Sequence, residues 1–449
     1  MVRQLFGTDG IRGKANTYPI TSEIALDVGK AVAQVCNDTK GRARVLIGKD
    51  TRISGYMIET ALTSGIVSMG GNVLLVGPLP TPAIAQLVRS MNADAGIVIS
   101  ASHNPACDNG IKIFGSDAYK LPDSVEEKIE HIIASGKLKE PGIEPSRLGK
   151  AYRVNDARGR YIEFCKSTIK NYSFEGINAV LDCANGAAYN VAPKIFRELD
   201  AETHVLHNTP DGLNINHNCG AMHPEVLKKS VKFHKSDIGI AFDGDADRVI
   251  VVDEKGGIVD GDQIMAICAK YLQEQNLLNK DTVVATVMSN KAFDLSLQKS
   301  GINVIRSQVG DRYVIEIMRK NNYSLGGEQS GHIIFSDYAT TGDGIVTALQ
   351  LVNIMKLSGK KLSTLASVFK PFPQILLNLP VKNKKSISSM PKVVSIINSA
   401  EKQLGEKGRV FVRYSGTENI ARIMVEGKNK NQITKLANEI ASVLKKEVA

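Results

Sequence analysis

Residues 95–105 read AGIVISASHNP and residues 237–248 read DIGIAFDGDADR. Each is a short apolar run that stops abruptly at hydroxylated or acidic residues. Apolar residues without alternation suit a strand buried on both faces, as in a parallel sheet with helices above and below. Working outward from the first stretch, RVLIGKD (44–50) and NVLLVG (72–77) are also strand-like. A helical pattern over 54–70 separates them, and a second helix follows Pro78, Pro80 and Pro82.

The same order returns in INAVLDCANGA (177–187), ETHVLH (202–207) and DIGIAF (237–242), with helices near 190–199 and 224–235. It returns again in TVVATVMSN (282–290), NVIRSQVGD (303–311) and YSLGGEQSGH (323–332). The letters do not repeat, but the strand–helix order does, which predicts parallel β-α-β winding in three similar α/β units. Towards the end, PFPQ (371–374), lysine-rich stretches and RVFVRYSGTENIARIMVEG (409–427) predict a smaller α+β domain. The expected domains are 1–155, 156–258, 259–370 and 371–449. Ligands of open parallel sheets gather at the carboxyl ends of strands, so three such units can present three loops to a central cleft.

Fifty-six Lys and Arg against forty-six Asp and Glu give a net charge of +10. That balance suits an anionic partner. With 5% aromatic residues, no Trp and no block of five like charges, it does not read as a nucleic-acid arm. The six cysteines form no C-x-x-C pair, the N-terminus lacks a signal-peptide core, and no run is long enough for a membrane helix. The expectation is a soluble, cytoplasmic protein with reduced thiols, without nucleic-acid or membrane partners.

Asp243, Asp245 and Asp247 alternate at the end of an apolar strand, where their oxygens can meet on one hard cation. They also match the first ligand positions of an EF-hand loop. The glycine that loop needs at its sixth position is Arg248, however, and the flanks read as strands. Ser102, beside His103 and ahead of Lys112, is placed at a strand exit for phosphoryl carriage, although a capping serine is the default reading of such a residue alone. Glu328 and Ser330 alternate in a glycine-rich loop and would share one face, suited to paired sugar hydroxyls. Arg413, Ser415, Gly416 and Thr417, with Arg422 beyond, combine a guanidinium fork with hydroxyl and amide donors, as a phosphate requires. A glycine-rich loop with Arg12 lies near the start, without a Walker A ending.

Taken together and in order, FGTDGIRG, ASHNP, DGDADR, GEQSGH and RYSGTEN resemble the α-D-phosphohexomutase family over essentially the whole chain. They look most like its bacterial branch acting on glucosamine phosphates. The resemblance implies three mixed α/β sandwich domains plus a C-terminal phosphate-binding domain. It implies a phosphoserine at Ser102, Mg²⁺ held by Asp243, Asp245, Asp247 and the Ser102 phosphate, and sugar hydroxyls on Glu328 and Ser330. Arg413, Ser415, Gly416 and Thr417 would hold the idle phosphate, and Arg12, His103, Lys112, Arg248 and His332 match positions near the transferring group. His332 and Lys112 are the two candidates for a proton acceptor.

The implied reaction interconverts glucosamine 6-phosphate and glucosamine 1-phosphate through a sugar 1,6-bisphosphate, feeding amino-sugar and cell-wall precursor synthesis. The alternative within the family is the same chemistry on glucose or mannose phosphates. A rival chemistry would use Asp243 as an aspartyl nucleophile. Partner expectations are the phosphosugar, a homodimer, and an activating kinase or autophosphorylation. Two departures from the family pattern are Ala106-Cys107 after SHNP, and Asn419 where many members carry proline.

Overall fold

In the computed structural model, residues 5–7, 9–136, 138, 143–170, 173–381, 384–414 and 419–448 are described, those at 38–40 by backbone only. The first sheet contains β1 (Ile11–Lys14), β2 (Arg44–Lys49), β3 (Asn72–Pro78), β4 (Ala95–Ile99), β5 (Asp108–Gly115) and β6 (Ala151–Arg153). Its order is β1-β5-β4-β2-β3-β6. The middle strands β2, β3 and β4 run parallel. Every residue of β4 is buried, because helices such as Ser54–Ser68 and Thr81–Ser90 pack on the sheet.

The second sheet contains β7 (Asn178–Asp182), β8 (Glu202–Leu206), β9 (Ile238–Phe242), β10 (Val249–Asp253) and β11 (Ile258–Val259), in the order β11-β10-β9-β7-β8. A third is built from β12 (Thr282–Thr286), β13 (Asn303–Ser307), β14 (Leu325–Gly327) and β15 (Ile333–Phe335), in the order β13-β12-β14-β15. The last has β16 (Gln374–Pro380), β17 (Gly408–Tyr414) and β18 (Ile420–Gly427), all antiparallel around the central β18. The protein is therefore an α/β chain with three mixed sheets and a small antiparallel C-terminal sheet.

The sheets are mixed, as the family resemblance implies, with parallel middle strands and antiparallel returns. β5 runs antiparallel to β4, β10 to β9 and β15 to β14. The physical reason lies in the connections: each return strand follows after a short polar loop, whereas a parallel crossover needs about a dozen residues or more. All three sheets thus place a loop at the carboxyl end of a buried parallel strand. These loops run 100–107, 243–248 and 328–332.

The chain divides into two compact units, Met1–Val287 with Ile305–Ala366, and Met288–Val304 with Ser367–Ala449. The second has its own core, in which Val393, Ile423, Val425, Ile433 and Ile440 are fully buried. Among the described residues no helix is long and apolar enough to cross a membrane.

Candidate active site

Ser102 is buried and sits at φ +51°, in the left-handed region. Such a conformation costs a non-glycine residue about 1–2 kcal/mol, so the surroundings must hold it there. The result is that Ser102 Oγ donates to Asp243 Oδ2 at 2.7 Å, across 141 positions of chain. Asp243 Oδ1 in turn accepts from the Arg248 backbone N–H at 3.2 Å. The Ser102 loop lies so close that a Cβ on Gly244 would stand 2.6 Å from the Ser102 carbonyl oxygen, which is why the acidic loop carries glycine there.

Around the three carboxylates stand cations and an imidazole. Lys112 Nζ, buried, lies 3.0 Å from Asp245 Oδ2, 3.5 Å from Asp9 Oδ2 and 3.7 Å from Asp247 Oδ2. Burial alone would lower its pKa, but these three carboxylates outweigh burial and hold it above the ordinary lysine value. Thr81 Oγ1 also donates to Asp245 Oδ2, at 2.7 Å. Arg248 donates from Nη1 to His103 Nδ1 at 2.6 Å, and that nitrogen lies 3.4 Å from Ser102 Oγ. A guanidinium can only donate, so His103 Nδ1 accepts and the ring is neutral. Burial, Arg248 and Arg12 push its pKa down to about 4. Arg12, on β1, pairs with Asp9, which also pairs with Lys120.

His332 is buried beneath the third loop. The Gly342 backbone N–H donates to its Nε2 at 3.0 Å, so the ring proton sits on Nδ1, 3.6 Å from Asp247 Oδ2. Burial disfavours a charged ring, yet Asp247, Asp311 and Glu328 shift its pKa upward. A second proton would have to displace the Gly342 donor, and in this arrangement His332 is neutral. Above it, Ser330 Oγ donates to Glu328 Oε2 at 3.3 Å, while Gly310 N–H donates to Glu328 Oε1 at 3.1 Å. The Arg248↔His332 bridge joins this loop to the acidic one.

Four family models of phosphoglucomutase/phosphomannomutase match the chain in sequence. They are α/β/α domain I over residues 3–140, domain II over 159–257, domain III over 260–372 and the C-terminal domain over 376–443. Phosphoglucosamine mutases of Geotalea uraniireducens and Geobacter metallireducens are 53% and 54% identical, each covering 100% of this chain and 99% of the relative. The chain belongs to the α-D-phosphohexomutase family. Its fold is similar to a phosphoglucomutase/phosphomannomutase family protein from Burkholderia thailandensis, with a TM-score of 0.82, 22% identity and coverage of 98% and 97%. It is also similar to N-acetylphosphoglucosamine mutase from Aspergillus fumigatus, solved in complex with GlcNAc-6P and magnesium. There the TM-score is 0.65, with 16% identity and coverage of 99% and 96%.

The acidic loop of this phosphohexomutase fits a hard cation. Ligand oxygens of Asp243, Asp245 and Asp247 all lie within 4.8 Å of one another. Asp245 Oδ1 and Asp247 Oδ1 are buried without a hydrogen-bond partner. Buried carboxylate oxygens left unpaired are costly, and a divalent ion with oxygen ligands resolves that cost. The carboxyl of Asp243 is held well above the usual range by burial and by Asp247 and Asp245.

Of the two proton-acceptor candidates, Lys112 lies among the carboxylates of Asp9, Asp245 and Asp247, while His332 accepts from Gly342 N–H at Nε2 and has Nδ1 3.6 Å from Asp247 Oδ2. The phosphohexomutase site also contains residues that the sequence reading passed over. Asp50, Arg52, Thr81 and Asn216 meet the Ser102 and acidic loops through hydrogen bonds. Asp50 and Arg52 could have been flagged as polar residues at the carboxyl end of a buried strand. Asn216 sits in a loop without any such signal.

Arg413 belongs to the second unit, at the end of β17, where it stands opposite Arg422 on β18. Burial and the Arg422 charge lower its pKa. Two guanidinium groups facing across a ladder repel, which suits a place for an anion. Ser415, Gly416 and Thr417 lie outside the described residues.

Proposed function

We infer that this phosphohexomutase works as a phosphoglucosamine mutase, an intramolecular phosphotransferase that interconverts glucosamine 6-phosphate and glucosamine 1-phosphate. The observation that carries the chemistry is the 2.7 Å contact from Ser102 Oγ to Asp243 Oδ2 inside a buried acidic cluster. The substrate class rests on full-length similarity to bacterial phosphoglucosamine mutases. The domain division near 155, 258 and 370 is part of the same reading.

In the forward direction, the bond from phosphorus to Ser102 Oγ breaks and a bond to the sugar 1-oxygen forms, the proton of that sugar hydroxyl ending on Ser102 Oγ, which is left as a free hydroxyl. The 1,6-bisphosphate turns end for end, and its 6-phosphoryl group returns to Ser102. Asp243, Asp245 and Asp247 would hold Mg²⁺, which supplies Lewis-acid stabilisation of charge on the transferring group. Phosphoryl transfer is governed by positioning and charge stabilisation, and Arg248, Arg12 and Lys112 provide fixed positive charge beside Ser102. Neutral His103 keeps its imidazole against Ser102 without adding charge. Glu328 and Ser330 receive the sugar hydroxyls, and Arg413 with Ser415, Gly416 and Thr417 grips whichever phosphate is idle.

The rival reading makes Asp243 an aspartyl nucleophile, and where the phosphate resides separates the two. The test is incubation with a hexose 1,6-bisphosphate and Mg²⁺, followed by peptide mapping. Phosphate on the Ser102 peptide, with turnover fastest on glucosamine phosphates, is the expected outcome. Phosphate recovered on the Asp243 peptide, or faster turnover of glucose or mannose phosphates, overturns the reading.

A further inference from the structure

We propose that Arg52 is a positioning residue for phosphoryl transfer, holding Ser102 in its left-handed conformation through the backbone of the 102–108 turn. This rests on Ser102 being the phosphoryl carrier. The Arg52 side chain is fully buried at the carboxyl end of β2, one strand away from the loop that it serves.

A guanidinium has five N–H donors, and all five are engaged. Nε donates to Asp50 Oδ2 at 2.8 Å. Nη2 donates to the carbonyls of Ser102 at 3.0 Å and Asn104 at 2.8 Å. Nη1 donates to the Asp108 carbonyl at 3.1 Å and to that of Pro105. Four carbonyls of one turn therefore converge on a single planar cation. Asn216 Nδ2 shares the Ser102 and Asn104 carbonyls, at 2.9 Å each, and the Asp108 N–H shares that of Pro105 at 3.1 Å, so the guanidinium joins contacts that tie the turn at several points.

Both faces of the Ser102 backbone are set by the same pair. Its carbonyl is held by Arg52, with Asn216 Nδ2 donating to it at 2.9 Å. Its N–H donates to Ser100 Oγ at 2.9 Å, and Ser100 Oγ donates to Asp50 Oδ2 at 2.6 Å. With N–H and C=O both fixed, φ of Ser102 stays at +51° and Oγ is aimed at Asp243. Arg52 touches neither the carboxylate triplet nor Ser102 Oγ, so its effect on chemistry passes through the turn. A reacting atom displaced by about 1 Å can lose roughly 100-fold in rate.

Arg52→Lys keeps the charge that balances Asp50 but offers three donors from a point, so it cannot serve four carbonyls. In the full-length enzyme, kcat on glucosamine 6-phosphate should fall about 10- to 100-fold with KM within about threefold. Single-turnover transfer from glucose 1,6-bisphosphate to Ser102 should slow by the same factor, with the thermal midpoint recorded alongside. A purely structural role would lower kcat only in proportion to the folded fraction and leave single-turnover transfer in that fraction unchanged. That result, or kcat within about threefold of wild type, overturns the proposal. If Arg52→Lys does not fold, Ser100→Ala decides: it should lower kcat about 3- to 10-fold with KM unchanged, and an unaltered kcat overturns the proposal. A wild-type enzyme that turns over without phospho-Ser102 sinks the underlying reading and this proposal together. Normal wild-type phosphorylation with a variant that matches it sinks the proposal alone.

Discussion

Replacing Asp243 by Asn separates what the acidic triplet costs from what it does. The three carboxylates approach within 4.8 Å of one another. At that distance two unit charges repel by about 3.5 kcal/mol in an effective dielectric of about 20. Two such neighbours act on Asp243, and Lys112 and Arg248 offset most of the sum. Removing the charge should relieve about 2–3 kcal/mol in metal-free protein. The amide must also give up one of two acceptances, from Ser102 Oγ or Arg248 N–H, at a cost of about 1 kcal/mol.

The metal-free Asn variant should therefore be more stable by about 1–2 kcal/mol at neutral pH. The sign of the pH dependence follows from the raised carboxyl. Wild-type Asp243 favours folding below its ordinary value of 3.8, and that contribution is lost as pH rises through the higher folded value. The variant lacks this slope. With Mg²⁺ the order should reverse. Wild type gains about 2.7 kcal/mol at a hundred times its dissociation constant, while the variant, short of one charged ligand, gains under about 1 kcal/mol at the same concentration. The assay is thermal unfolding with EDTA and with Mg²⁺ at several pH values, alongside turnover, which should fall at least about 1,000-fold. Equal Mg²⁺ shifts in both proteins, or a metal-free variant that melts below wild type, would refute the reasoning.

Ser102→Gly should abolish turnover while leaving stability within about 1 kcal/mol of wild type, because glycine adopts φ +51° without strain but the hydrogen bond to Asp243 Oδ2 is lost; a loss of more than about 2 kcal/mol in urea unfolding contradicts this. Lys112→Met should lose about 3–5 kcal/mol by leaving Asp9, Asp245 and Asp247 without their shared cation. A urea-measured loss below about 1 kcal/mol would show that another group neutralises them. His207 Nδ1 lies 3.0 Å from Asp182 Oδ1, and that hydrogen bond raises the imidazole pKa. The pair contributes stability below the ordinary value of 6.5 and loses it as pH rises through the folded value. His207→Gln should accordingly cost more at pH 6 than at pH 8, by under about 1 kcal/mol, read from urea midpoints.

Strand identities were legible because a buried parallel strand must be apolar on both faces. AGIVIS, DIGIAF and TVVAT announce themselves in that way, and β4, β9 and β12 lie within them. The returns β5, β10 and β15 were not read as antiparallel, since DNGIKIFG and VIVVD carry no mark of direction. Only the short loops before them decide it. The chemistry-bearing loops were legible for a related reason: polar residues directly after such strands have no core to join.

Taken alone, the order of residues determined the three α/β units and the smaller C-terminal one, the loops carrying Ser102, the Asp triplet and Glu328, and the family. These are local or periodic properties, written in the spacing of apolar and charged groups along the chain. Tertiary structure alone decided that Lys112 is a bound cation, that His332 has both nitrogens engaged, and that Arg52 and Asn216 hold the turn around Ser102. A side chain's protonation and role depend on which charges and carbonyls surround it in space, and those neighbours lie from 10 positions away in sequence, as Gly342 does from His332, to 133, as Asp245 does from Lys112.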